Sequence, residues 1–169
     1  MSQHVRQLAA FAIASTLVFA VACDDDDDEP TGPQIVQTNF TSALTGAAER
    51  PNPVTTNASG TATMILFDDD SLQYTVRVQT IDSVTVSHIH AGDAATAGPV
   101  MVFLGTSATP VNIGALTTLY SGTITRSSTF SGAFTFDSLL TRLNAGTSYV
   151  NVHTRRNAGG EIRGQIVRQ

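Results

Sequence analysis

The sequence has no tryptophan, no lysine and one cysteine, Cys23, among its 169 residues. A single cysteine allows no intrachain disulfide, so an exported domain built from this chain must stand on its apolar core alone. Without lysine there is no P-loop, and the arginines are scattered rather than clustered with aromatics, which excludes a nucleic-acid surface. G-x-S-x-G, a dinucleotide fingerprint and a candidate catalytic cysteine are missing too. Nothing brings two carboxylates together as a hydrolase pair. No catalytic residue is therefore assigned. The net charge of −5 belongs largely to six consecutive acids, Asp24 to Glu29; from Gln34 onward eight Asp and Glu face eight Arg.

What is present begins with an address. Arg6 precedes an apolar or small-residue run from Leu8 to Ala22. That run is too short for a bilayer span of about 20 residues and suits a secretory signal. It ends Phe19-Ala20-Val21-Ala22-Cys23, which resembles a bacterial lipobox with Ala20 where leucine is usual. The expected organisation is a signal peptide over 1–22, a lipidated Cys23 with an acidic, Pro/Gly-containing tether to residue 37, and one domain over 38–169. The acidic run stays solvated by self-repulsion. The resemblance implies a lipid-anchored protein of the cell envelope, with outer membrane, cell surface and periplasmic face left open.

The domain reads as all-β. Period-2 segments recur between turn signals at Phe40–Leu44, Gly60–Phe67, Leu72–Val78, Val84–His90, Pro99–Gly105, Leu119–Thr125, Thr129–Phe136, Tyr149–Thr154 and Glu161–Val167. Pro99–Gly105 is apolar enough for burial on both faces, and a loop is expected around Thr109 and Pro110. Leu119–Thr125 and Thr129–Phe136 read as a hairpin. Asp68-Asp69-Asp70 is a turn, lacking the ligand spacing of a calcium loop. One helix is expected over 137–144, capped by Asp137 or Ser138, with a Leu139, Leu140 and Leu143 stripe and Gly146 after its end. Eight or nine strands with one short helix predict an antiparallel Greek-key sandwich or barrel.

Three histidines remain beyond the signal segment, in Ser87-His88-Ile89-His90 and Tyr149-Val150-Asn151-Val152-His153-Thr154. Alternation puts His88 and His90 on one face and Ile89 on the other. His153 likewise lies opposite Val150 and Val152. Three imidazoles at neighbouring strand ends suit zinc or copper. Regular alternation also places Val84 and Val86 beside His88 and His90, which favours a buried, hydrogen-bonded structural cluster instead. Glu161 and Arg163 share a face opposite Ile162. They form either a charge network pinning His153 or the Arg155-Arg156 loop or, with Asn151 and Thr154, outer partners that orient imidazoles.

Leu44-Thr45-Gly46 with Glu49, His88-Ile89-His90, Pro99 to Leu104, Tyr149 to Thr154 and Gly159-Gly160-Glu161-Ile162-Arg163-Gly164 together resemble the CHRD domain, first described in chordin and also found alone in bacterial secreted proteins. The resemblance spans roughly Phe40 to Val167 and implies an extracytoplasmic β-sandwich-like module, with no agreed activity. A weaker similarity links His88-Ile89-His90, Gly92-Asp93 and Val152-His153 to the copper/zinc superoxide dismutases. It would match His88, His90 and His153 to copper ligands. The bridging histidine, the other zinc ligands and the disulfide cysteines have no counterparts. The expected partners are a membrane, through the lipid on Cys23, and an unidentified protein or glycan. The alternative function is copper or zinc binding, with weak redox activity.

Overall fold

The computed structural model describes residues 37–68 and 70–169. The signal segment, Cys23 and the tether through residue 36 lie outside the described residues. The strands are β1 (Gln37–Thr45), β2 (Ser59–Phe67), β3 (Leu72–Gln79), β4 (Ile81–Ala91), β5 (Val100–Ile113), β6 (Thr117–Ile124), β7 (Ser148–Thr154), β8 (Ile162–Gln165) and β9 (Val167–Arg168), with helix α1 at Phe136–Ala145. Among the described residues no helix is long and apolar enough to cross a membrane.

Alternation builds these strands. In β3, Leu72, Val76 and Val78 are buried while Gln73, Arg77 and Gln79 are exposed. Strand pairing is antiparallel throughout, in the order β5-β4-β7-β8-β1-β2-β3-β6, with β9 also on β1. Although only Thr80 separates β3 from β4, the two do not pair. The backbone turns there through positive φ at Thr80 (51°) and Ser83 (56°). The terminal strands β5 and β6 meet where the Ser107 and Tyr120 hydroxyls lie 2.7 Å apart, and Tyr74 Oη of β3 reaches across to donate to Leu104 O of β5 (2.6 Å). The result is a nearly closed, barrel-like sheet, in keeping with the expected all-β class. Its interior holds Phe40, Leu44, Met64, Ile89, Val150 and Ile162, all fully or almost fully buried. Each such side chain contributes about 1.5–3 kcal/mol of burial free energy.

Four local expectations are corrected. β5 does not stop at Gly105 but runs through Thr109 and Pro110 to Ile113. It is the end strand of the ladder and bulges from β4 between Thr106 and Val111, where a missing N–H breaks no ladder bond. Nor is Pro99–Gly105 buried on both faces, because Phe103 is 55% exposed. Thr129–Phe136 is not a strand. β6 pairs with β3, and Phe130 makes one isolated bridge to Val102. Phe130 and Phe134 imitate a period-2 pattern because each is a separate anchor packed on the core. The helix is capped by Thr135, not Asp137 or Ser138: Thr135 Oγ1 accepts from Ser138 N (3.2 Å) and Ser138 Oγ accepts from Thr135 N (2.9 Å). Gly146, at φ 65°, ends it, as expected.

Candidate metal centre

The site depends on one extra residue in β4. Val84 pairs with Thr154 but Val86 pairs with His153, so Thr85 is unpaired and forms a bulge. The bulge reverses the alternation. Val84 sits in the core with Ile89, whereas Val86, His88 and His90 face the other side. That separates the two valines which regular alternation would place beside the imidazoles. The same side of β7 presents Tyr149, Asn151 and His153, in register with His90, His88 and Val86. This second face is not exposed: every residue of β7 is buried. Tyr149, Asn151 and His153 thus form a polar layer, backed by an apolar one.

Within that layer the three imidazoles converge. One nitrogen from each of His88, His90 and His153 lies within 4.8 Å of the others. The ring centroids are 4.8 Å (His88–His153), 5.4 Å (His88–His90) and 5.8 Å (His90–His153) apart. Two rings are oriented by backbone carbonyls: His90 Nδ1 lies 2.9 Å from Gly98 O and His153 Nδ1 lies 3.0 Å from Ala158 O. A carbonyl only accepts, so both protons sit on Nδ1 and both Nε2 atoms carry lone pairs. His88 Nδ1, 3.1 Å from His153 Nε2, must then be the donor between them. His88 Nε2 and His90 Nε2 are buried with no partner. Buried lone pairs without a donor are costly, and a cation among the three rings would take up that of His90 Nε2.

Electrostatics keep the ligands available. Burial, then the neighbouring His153 and His90, pushes His88 down to about 4. Burial pushes His90 down to about 4 as well, against the Gly98 hydrogen bond and with help from His153 and Arg163. Burial lowers His153 too, opposed by its bond to Ala158. All three rings are neutral near pH 7, the form that binds metal. Two bonds of about 2.1 Å span at most about 4.2 Å, so the widest pair, at 4.8 Å, must close on loading.

The residues expected as outer partners take other roles. Glu161 touches no imidazole; its Oε1 accepts from Thr56 Oγ1 (2.8 Å) and its Oε2 from Thr154 Oγ1 (2.7 Å) and Asn157 Nδ2 (3.1 Å). It ties down the turn that carries Ala158 O, and so acts on His153 at one remove. Asn151 donates through Nδ2 to Glu49 Oε2 (3.3 Å). Arg163 is buried, with its guanidinium carbon 3.4 Å from the centroid of the Tyr149 ring, and donates to Asp93 O. Burial lowers its pKa, while Tyr149 and Glu49 oppose the shift. Tyr149 in turn stacks on His90, centroids 4.9 Å apart at 11°.

Sequence reasoning missed Tyr149, although it shares the parity of Asn151 and His153. It also missed Phe103, whose ring meets His88 edge-on at 4.3 Å. The Gly98 and Ala158 carbonyls had no signal to find, since any residue carries one. Gly98 itself is required, because a Cβ there would stand 1.6 Å from Ala91 O.

A family model covers these elements, including the paired histidines on β4, the third on β7 and the glycine turn before β8. The CHRD domain model matches residues 40–166. The chain belongs to the CHRD domain family. No curated protein and no solved structure matches it. The CHRD match runs from Phe40 within β1 to Ile166 and covers every residue that builds the site.

Proposed function

We propose that this CHRD domain is a metal-binding module, holding copper or zinc on His88, His90 and His153, and displayed outside the cytoplasm on the lipidated Cys23. The observation that carries the reading is the pair of imidazoles locked by Gly98 O and Ala158 O so that their Nε2 lone pairs turn inward beside His88. An all-imidazole set suits copper and zinc alike. Three protein ligands leave a position open to water or a small substrate. Copper there would supply one-electron exchange, and zinc a polarised water. The protein's own part is to hold two tautomers, keep the rings neutral and back them with an apolar layer. For His88 to bind through Nδ1, its proton must move from Nδ1 to Nε2 or leave to solvent.

A second reading has its own support. The His88–His153 hydrogen bond joins two of the rings without metal, as in a scaffold that binds an unidentified protein or glycan and carries no ion. Elemental analysis of the full-length protein separates the two, after incubation with copper or zinc and desalting. The metal reading expects one ion per chain, and loss of that ion in both His88→Ala and His153→Ala. Failure of the wild type to retain stoichiometric metal at any loading leaves the scaffold. An unmodified Cys23 in mass spectra of membrane-extracted protein would remove the anchor.

A further inference from the structure

Glu49 and Asn151 form a buried contact that a carboxylate cannot complete. Glu49, just after the Gly46–Ala48 turn, is 2% exposed. Its Oε2 accepts from Asn151 Nδ2, but Glu49 Oε1 and Asn151 Oδ1 are both buried without a partner. The two orphans flank one point: a Cβ on Gly160 would stand 2.8 Å from Glu49 Oε1 and 2.5 Å from Asn151 Oδ1. An ionised carboxylate only accepts. Rotating the Asn151 amide exchanges which oxygen is opposed and leaves the same deficit. Arg163 does not resolve it. Its guanidinium lies against Tyr149, and among the described residues the ion pairs within 4.0 Å involve Arg126 alone.

We propose that Glu49 is a carboxylic acid in the folded protein, donating its Oε1 proton to Asn151 Oδ1 in a two-point acid–amide latch that holds the Gly159–Gly160 turn. One proton then satisfies both orphans. Burial favours the neutral form and pushes Glu49 up to about 7, against Asn151, Arg163 and Arg50. The charges acting on it are Arg163 from β8 and Arg50 beside it; from β7 it meets only the neutral Asn151 amide. The proton exchanges with solvent through a cleft of about 240 Å³ lined by Arg50, Pro51, Asn52, Asn157 and Gly159.

Loss of the proton turns two acceptors on each other against Gly160, where φ is 127° and no side chain fits. The same turn carries Ala158 O, the partner of His153 Nδ1. Glu49 is thus a positioning residue for the turn. The inference does not depend on metal binding, and its test is run without metal.

The test uses metal-free, full-length protein. Infrared difference spectra at about pH 6 are expected to show a protonated-carboxyl band that shifts in D₂O, fades as pH rises through about 7, and is missing from Glu49→Gln. Carbon NMR of glutamate-labelled wild type should show the same titration, so the question is decided even if the variant does not fold. Amide exchange at Gly160 and Glu161, corrected for intrinsic pH dependence, should speed by about tenfold between about pH 6 and 8 in the wild type and stay constant in Glu49→Gln. A carboxylate signature at about pH 6, or equal exchange profiles in the two proteins, overturns the latch.

Discussion

Single residues set this site through groups that alternation does not report. Gly98 places a carbonyl on His90 while its missing side chain lets the loop close on Ala91. Gly98→Ala should therefore destabilise the fold by about 1–3 kcal/mol, as overpacking does, and lower metal retention as well. Urea midpoints beside metal content check both effects, and an unchanged midpoint would show that the loop accommodates the methyl. His88, His90 and His153 were legible as a possible cluster because parity and strand ends are written in the chain. Their tautomers were not, since backbone acceptors leave no mark on sequence. Thr85 was equally silent: a threonine suits any strand, and nothing in its identity says that it is the residue left unpaired.

At the level of elements, local patterns were read well and non-local ones poorly. β3 was plain because one face is buried and the other wet. α1 was plain because Leu139 and Leu143 fall on one side before Gly146. The true cap, Thr135, was overlooked because Asp137 and Ser138 have the same preference and lie closer to the stripe. The extension of β5 and the partner of β6 were hidden for another reason. Both depend on pairing with strands far away in sequence, which composition cannot encode. The helix offers a direct measurement. Leu143→Ala should cost about 2–5 kcal/mol and Thr135→Ala about 1 kcal/mol, both by chemical denaturation. A smaller loss at Leu143 than at Thr135 would mean that α1 is held by its ends rather than by its packing.

The whole molecule was assigned correctly to the all-β class from its alternation. Its division into an apolar interior and a covered polar layer was not foreseen, because alternation reports one buried face and says nothing of what lies over the other. Two buried layers make stability respond to pH in opposite directions. His88 and His90 titrate near 4 when folded, below their ordinary value of 6.5, and His153 is shifted the same way. The unfolded chain binds more protons there, so their contribution is complete above about 6.5 and is lost as pH falls toward 4. Glu49 does the reverse. Its folded value of about 7 exceeds its ordinary 4.5, so its contribution is present at low pH and lost as pH rises through about 7. Three imidazoles outweigh one carboxyl. The urea midpoint of the metal-free protein should rise from about pH 4 and level off between about pH 7 and 8, where the Glu49 contribution cancels what remains of the imidazole one. A steady fall across that range would contradict the burial of the histidines, and Glu49→Gln should steepen the rise between about pH 5 and 7.

The phenols of Tyr120 on β6 and Tyr74 on the neighbouring β3 hold the ladder edges β5 and β6 against one another where a further strand would otherwise be needed. Each edge denies the other to a foreign chain, because a row of free N–H and C=O groups is a template only while it can be approached. This domain, without a disulfide to lock it, guards itself against self-association with two hydroxyl contacts. The seam they close is where a stressed copy would first become adhesive.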